Sequence, residues 1–253
     1  MPATRVEHIM GTAISIDLRD AAIAPGVLDR VFDHLRDIDA RFSTYREDSE
    51  ISRLARGELV EDDCSPDVRH VLSACDHLAV TTGGAFDARH QPAVGGLDPS
   101  GYVKGWAVEE AAWILDDGGV VDYMINAGGD IVARGHADAG QPWRIGVRHP
   151  DHLDRVAAVV AVTDRAVATS GTYERGDHIV DPRTGRPATD LRSMTVVGPR
   201  LAFADAYATA AFVMGIDGLG WVADRPDHEA MAITTDGRLV WTPGMDRYLA
   251  SAA

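Results

Sequence analysis

The chain has 253 residues, of which 45% are hydrophobic and 25% charged, a composition typical of a globular protein with a sizeable core. Its 24 basic and 39 acidic residues give a net charge of -15, which repels phosphate backbones and argues against general nucleic-acid binding. No apolar run is long enough to predict a membrane span, and the N-terminus lacks the pattern of an export signal, so we expect a cytoplasmic protein.

The N-terminal part of the chain alternates between strand and helix patterns. Thr12 to Leu18, TAISIDL, alternates apolar and polar residues, which predicts a half-buried strand. From Val27, apolar residues recur at helical spacing and predict an amphipathic helix that ends near FSTYREDSE. A second helix is predicted to start at Ser65 and to stop at the glycine pair 83–84.

A third helix is predicted in KGWAVEEAAWILDDGG, from Lys104 to a glycine terminator at Gly118. The loop before it, DPSGYV, therefore opens onto a helix N-terminus. Such a loop suits a phosphate or another polar ligand, because unpaired amides and the positive end of the helix dipole face it. The alternative is that Asp98 or Ser100 only caps the helix.

The remaining chain is mostly short β-rich segments, which predict one extensive sheet. These segments are VDYMIN, WRIGVRH, RVAAVVAVT, AVATS and MTVVG. ADAYATAAFVMG predicts an alanine-rich helix closed by Gly215, and MAITTDGRLVW predicts a hairpin over Asp236 and Gly237. Helices and strands interleave without a regular βαβ order, so residues 1–253 are expected to form a single mixed α/β domain.

Two clusters could carry chemistry. Residues 168–187, ATSGTYERGDHIVDPRTGRP, contain His178, which titrates near neutral pH and could remove a proton from an alcohol or from water. The same stretch could also be only a polar loop, with DPRTG as its turn. Asp205 and Thr209 share one helix face and offer the hard oxygen ligands that Mg²⁺ accepts, although such a threonine more often bonds to its own helix.

A third cluster is NAGGD at the end of an apolar segment, with Asn126, two glycines and Asp130. Bare backbone at Gly128 and Gly129 would let a ligand approach closely. Strand glycines more often mark tight turns or bulges, so the motif alone favours that interpretation. A Rossmann or P-loop pattern is not present in the sequence.

In order, several motifs of this chain resemble those of the ApbE family of flavin transferases (FAD:protein FMN transferases). They are HIMGT, FSTYREDSEISRL, GGAFD, DPSGYVKGWAVEEA, INAGGDI, ATSGTYERGDHIVDPRTG and ADAYATAAFVMG, and they extend from about Met10 to Gly215. The resemblance implies an α+β fold related to the T-fold, with a mixed, mainly antiparallel sheet and flanking helices.

The resemblance also implies an activity: Mg²⁺-dependent transfer of the FMN half of FAD to a threonine hydroxyl of a client flavoprotein, with release of AMP. His178 would be the catalytic base. The implied contacts to FAD are Met10, Tyr45, Phe86, Asp87, Asp98, Lys104 and Val180. The implied metal ligands are Asp205, Thr209 and a backbone carbonyl near Gly101. The same residues would equally serve an FAD pyrophosphatase that releases FMN and AMP, or a non-catalytic flavin carrier.

Two departures from the family pattern concern the site. The segment between Asp87 and Asp98 is shorter than in many members, which suggests a reduced loop over the cofactor. Ala208 stands where some members have an additional metal-binding acid, so the metal is expected to bind more weakly or to rely on water ligands.

Overall fold

A computed structural model describes residues 3–20, 24–90, 96–150, 152, 155–172 and 179–250 of the chain. Its strands, in chain order, are β1 (Ala3–Ile9), β2 (Thr12–Leu18), β3 (Tyr123–Ala127), β4 (Asp130–Arg134), β5 (Trp143–Arg148), β6 (Val156–Val162), β7 (Arg165–Gly171), β8 (Val180–Asp181), β9 (Arg186–Pro187), β10 (Leu191–Gly198), β11 (Glu229–Thr234), β12 (Leu239–Trp241) and β13 (Leu249–Ala250).

The strands form two packed sheets and a small hairpin. Eight of them make the large sheet, in the order β1-β2-β3-β4-β7-β10-β11-β12, and three make a smaller sheet in the order β13-β6-β5. β8 and β9 pair only with each other, and every ladder among the described strands is antiparallel. The prediction of one extensive sheet is therefore wrong, because hydrophobic patterning reports which face of a strand is buried and not which sheet it joins.

Four of the six described helices were predicted from the sequence. The helices are α1 (Val27–Phe42), α2 (Glu50–Ala55), α3 (Pro66–Thr81), α4 (Ser100–Asp117), α5 (Leu201–Met214) and α6 (Asp217–Ala223), with 3-10 turns at Glu61–Asp63 and Pro243–Arg247. Of these, α1, α3, α4 and α5 were predicted, and α2 and α6 were not. α5 begins at Leu201, three residues before its predicted start, and α4 begins at Ser100, four residues before its own. Pro99 is the N-cap of α4, so DPSGYV supplies the cap and first turn of the helix.

The large sheet separates two hydrophobic clusters. Alternate residues of β7 show the division: Ala166 and Ala168 belong to the cluster shared with the helices, whereas Val167 belongs to the cluster shared with the small sheet. The architecture is thus three layers: helices, large sheet and small sheet. The predicted α+β class and its antiparallel sheet are confirmed. Within the described ranges, no helix is long and apolar enough to cross a membrane.

α4 and α5 pack unusually close together in the helical layer. A Cβ at Gly105 of α4 would lie 2.7 Å from the carbonyl oxygen of Leu201 and 2.9 Å from the Cα of Ala202. Only glycine fits this contact, and it lets the backbones of the two helices approach one another. Lys104, which precedes Gly105 on α4, lies with its Nζ 3.7 Å from Oδ2 of Asp205 on α5.

Candidate functional site

A cavity of about 520 Å³ opens where the helical layer meets the large sheet. Its wall takes residues from the β1–β2 turn, the end of α1 and the loop after it, the start of α4, the β3–β4 turn, the end of β7, the β8 region and α5. Nine of the eleven predicted site residues line it: Met10, Tyr45, Phe86, Asp98, Gly101, Lys104, Val180, Asp205 and Thr209. Motifs that are far apart in the sequence therefore converge on one space.

The two remaining predicted site residues are His178 and Asp87. His178, the expected base, lies outside the described residues. The Asp87 carboxylate accepts a hydrogen bond from the backbone N–H of Arg89 (2.8 Å) and lies 2.7 Å from Nδ1 of His90. Asp87 therefore fixes the chain after Phe86, and the structure does not bring its carboxylate to the cavity wall.

Met10 reaches the cavity from the tight turn between β1 and β2. Ile9 pairs with Thr12, so Met10 and Gly11 form a two-residue loop in which both have positive φ, 55° and 70°. Hairpin turns of this kind favour asparagine or glycine, and a larger side chain in the left-handed region costs about 1–2 kcal/mol. A methionine at this position is therefore better explained by its place in the cavity wall than by the turn.

The β3–β4 turn packs directly against this hairpin. Gly128 has φ of 61°, and a Cβ on it would lie 2.4 Å from the Thr12 hydroxyl oxygen. Both Thr12 and Gly128 line the cavity. The glycines of NAGGD therefore form a turn, and at Gly128 the absence of a side chain also keeps the cavity wall open.

Two aromatic side chains meet the cavity in different ways. Tyr45 is 91% exposed at the rim, in a loop anchored by the bond from the Ser49 hydroxyl to the carbonyl of Ser43 (2.7 Å). Phe86 is buried, and its ring lies against the first turn of α4, where a Cβ on Gly101 would be 3.1 Å away. The cavity thus has one fixed aromatic wall and one solvent-exposed ring at its entrance.

The N-terminus of α4 contributes polar backbone to the cavity. Asp98 accepts the N–H of Ser100 through Oδ1 (2.9 Å), and Ser100 and Gly101 line the wall. Pro99 makes no side-chain cap bond. The positive end of the helix dipole is therefore directed toward the cavity, which favours an anionic ligand group there.

Three charged side chains lie in a row at the cavity, and two of them, Lys104 and Asp205, line it. Lys104 of α4 forms an ion pair with Asp130 of β4, and its Nζ is 3.7 Å from Oδ2 of Asp205 on α5. Asp205 is only 5% exposed. Burial raises the pKa of Asp205, and the Asp130 carboxylate raises it further, whereas the Lys104 ammonium partly offsets both effects.

Hydroxyl groups flank the Asp205 carboxylate. Thr209 lies one turn after it on α5, and its hydroxyl oxygen is 3.1 Å from that of Ser170 at the end of β7. Both line the cavity. Ala208 is buried in the core and does not line the cavity.

Some residues of this wall were not singled out as site residues from the sequence. Asp39 lines the cavity from α1, where helical periodicity marks it only as a residue of the polar face. Ser170 belongs to the polar stretch of residues 168–187. Its proximity to Thr209 depends on the pairing of sheet and helix, for which a single sequence carries no signal.

Comparisons with known proteins agree with these motifs. The ApbE family profile matches residues 10–96 and 89–232. The FAD:protein FMN transferase of Haemophilus influenzae is 29% identical over 76% of this chain and 73% of its own length. That of Vibrio cholerae serotype O1 is 34% identical over 64% of this chain and 50% of its own length, so the alignment spans half of that relative.

The fold comparison is more extensive than the sequence alignments. The flavin transferase ApbE from Vibrio cholerae superposes with a TM-score of 0.83 and 25% identity, covering 98% of this chain and 100% of that one. The same family is thus found by sequence profile, by relatives and by fold. This chain belongs to the ApbE family.

Proposed function

We propose that this chain transfers the FMN half of FAD to a threonine hydroxyl of a client flavoprotein, with Mg²⁺ as cofactor and AMP as the second product. The observation that carries the proposal is the convergence of nine predicted site residues on one cavity. The names of the relatives support the same group transfer. The volume of about 520 Å³ lies within the range of about 300–1,000 Å³ that small-molecule sites occupy.

FAD would be bound by its rings and by its diphosphate. Met10, Tyr45 and Phe86 supply apolar and aromatic surface for the rings, with Tyr45 able to cover a ligand at the entrance. The diphosphate would lie near the α4 N-terminus and Lys104, which provide local positive potential in a protein of net charge -15. Val180 would pack or hydrogen-bond through its backbone beside the cofactor, and Asp87 would act by fixing the chain behind Phe86.

The residues around Asp205 suit a divalent cation. Within the described part of the chain, Oδ2 of Asp205 is buried and has no hydrogen-bond partner, so it has an unused lone pair. The same part of the chain holds no group of three His, Cys, Asp or Glu that could bind a metal. A site of one carboxylate, the Thr209 hydroxyl, a carbonyl near Gly101 and waters matches Mg²⁺, which keeps several waters and few protein ligands.

The chemistry is a displacement at phosphorus. The threonine oxygen of the client bonds to the phosphorus of the FMN half, the bond from that phosphorus to the bridging oxygen breaks, and AMP leaves with that oxygen. Mg²⁺ bound at Asp205 and Thr209 would neutralise charge on the phosphate oxygens. His178 would take the proton of the attacking hydroxyl. Gly171 and Ile179, which line the cavity on either side of that segment in the chain, support this role.

The acceptor would be a threonine that can reach the cavity past Tyr45. The Asp87–Asp98 segment, shorter than in many family members, would leave this approach more open. The client and the enzyme must share a compartment.

The proposal is tested by incubating the purified chain with FAD, MgCl₂ and candidate client flavoproteins. We expect mass spectrometry to find one FMN adduct on a client threonine, together with an equal amount of AMP. A client with that threonine changed to valine and a reaction with EDTA are the controls. FMN and AMP released at the same rate with and without client would instead identify a pyrophosphatase. FAD that binds without turnover would identify a carrier.

A further inference from the structure

Asp130 is a buried carboxylate that the proposed reaction does not use. It is the first residue of β4, directly after the glycine turn, and is only 2% exposed. Its Oδ1 accepts the backbone N–H of Thr169 (3.0 Å), and its Oδ2 pairs with the Lys104 ammonium. Asp130 therefore links the α4 lysine to β7, although it does not line the cavity.

Lys104 lies between the carboxylates of Asp130 and Asp205, and its ammonium is closer to that of Asp130. It pairs directly with Asp130, whereas Oδ2 of Asp205 is 3.7 Å from Nζ, beyond a normal hydrogen bond. The Lys104 side chain is 34% exposed and has a flexible stem, so a small rotation would carry Nζ to Asp205. The ion pair with Asp130 places the ammonium in the first of these two positions.

We propose that Asp130 is a positioning residue: it holds the Lys104 ammonium away from Asp205 and so leaves Oδ2 of Asp205 open to a divalent cation. The inference rests on the cation site of the proposed function. Without Asp130, Lys104 pairs with Asp205 and occupies the lone pair that the cation needs. Asp130 thus acts on the cation through Lys104, by deciding which carboxylate the lysine neutralises.

The test measures Mn²⁺ affinity by calorimetry on the purified chain without FAD or client. D130N removes the charge and keeps a side-chain oxygen that can accept the Thr169 N–H. We expect D130N to weaken Mn²⁺ binding about tenfold, and K104M added to D130N to restore at least the original affinity. E109Q removes the charge of another buried carboxylate, which pairs with Arg200 and does not line the cavity. It is the matched charge control and should change the affinity less than threefold.

A crystal structure of D130N separates positioning from a simple change of charge. We expect the distance from Lys104 Nζ to Oδ2 of Asp205 to shorten from 3.7 Å to that of a hydrogen bond. Weakened Mn²⁺ binding with Lys104 still apart from Asp205 overturns the proposal, and so does unchanged Mn²⁺ binding. If D130N fails to fold, D130S is used, because its hydroxyl can still accept the Thr169 N–H.

The outcome is distinct from that of the flavin-transfer assay. A chain that binds Mn²⁺ as expected but never modifies a client refutes the transfer and leaves the role of Asp130 standing. A chain that transfers FMN but whose D130N variant keeps its Mn²⁺ affinity refutes only the role of Asp130. A chain that binds no Mn²⁺ refutes the cation site and this inference together.

Discussion

At the scale of single residues, the candidate site is built from polar groups held in unequal environments. Asp205 is buried with an unused oxygen, Thr209 shares its hydroxyl with Ser170, and Lys104 is held by Asp130. Each environment follows from a neighbour on a different element. The function of each side chain can therefore be tested by changing one atom group while its neighbours stay in place.

Thr209 is the first such test. Thr209→Val keeps the shape of the side chain and removes the hydroxyl, so we expect Mn²⁺ affinity and FMN transfer to fall at least tenfold. The loss in the valine variant is large because one oxygen ligand is a large fraction of a small ligand set. Thr209→Ser keeps the hydroxyl and should stay within about threefold of the original in both measurements. Equal losses in the two variants would show that the methyl group, and not the hydroxyl, matters.

His228 gives a pH prediction outside the site. Burial lowers its pKa below the ordinary 6.5, while the bond between Nδ1 and the carbonyl of Pro226 (2.7 Å) partly opposes the effect. The unfolded chain then takes up the proton more readily than the folded one, so stability is lost as pH falls below 6.5.

We therefore expect the free energy of unfolding, measured with urea, to fall between pH 7 and pH 5 by more in the original chain than in His228→Asn. The asparagine amide can still donate to Pro226 and does not titrate. An identical pH dependence in both proteins would mean that His228 is protonated equally in the folded and unfolded states.

At the scale of helices and strands, local signals predicted most boundaries. α1 begins and ends at Val27 and Phe42, the positions that the helical periodicity indicates, and β2 matches its alternating pattern residue for residue. The start of α4 was misplaced because Pro99 is an N-cap without a capping side chain. The separation of β5 and β6 into their own sheet depends on long-range pairing, which the period of a strand does not encode.

The contact between α4 and α5 makes a prediction about packing. Gly105→Ala places a methyl group against Leu201 and Ala202, so the helices must separate, and we expect a loss of about 1–3 kcal/mol in the free energy of unfolding. Gly220→Ala in α6 is the control, because nothing lies near its added methyl group and the helix should gain about 0.5–1 kcal/mol. Urea denaturation followed by circular dichroism measures both, and similar effects of the two variants would contradict the close packing.

At the scale of the whole molecule, the motifs predicted which residues line the same cavity, but not which neighbouring residues hold them in place. Order along the chain was enough to assign Met10, Lys104 and Asp205 to one site, because the resemblance extends over most of the chain. The partnership of Lys104 with Asp130 has no sequence signal, since it joins a helix to a strand on the far side of a glycine turn. The ion pairs and hydrogen bonds that hold the site residues in place arise from tertiary packing, and a single sequence does not show which residues form them.

The prediction of one domain over residues 1–253 can be tested through a buried thiol. Burial raises the pKa of Cys75 to about 12, so little thiolate forms at pH 8 and a thiol reagent should not label it in the folded chain. If the chain unfolds as one unit, labelling of Cys75 and loss of circular dichroism should have the same midpoint in urea. A Cys64→Ala background removes the other thiol, and labelling well before the loss of secondary structure would indicate that the helical layer opens on its own.

The turn that contains Met10 affects how this protein can be stabilised by mutation. The left-handed backbone at positions 10 and 11 is the conformation for which asparagine followed by glycine is favoured, so a search for heat-resistant variants should readily select Met10→Asn. The same change would replace the methionine side chain in the cavity wall by a shorter, polar one. Thermal stability and the lining of the cavity would then favour different residues at position 10, and a screen that scores only thermal stability would select against the methionine.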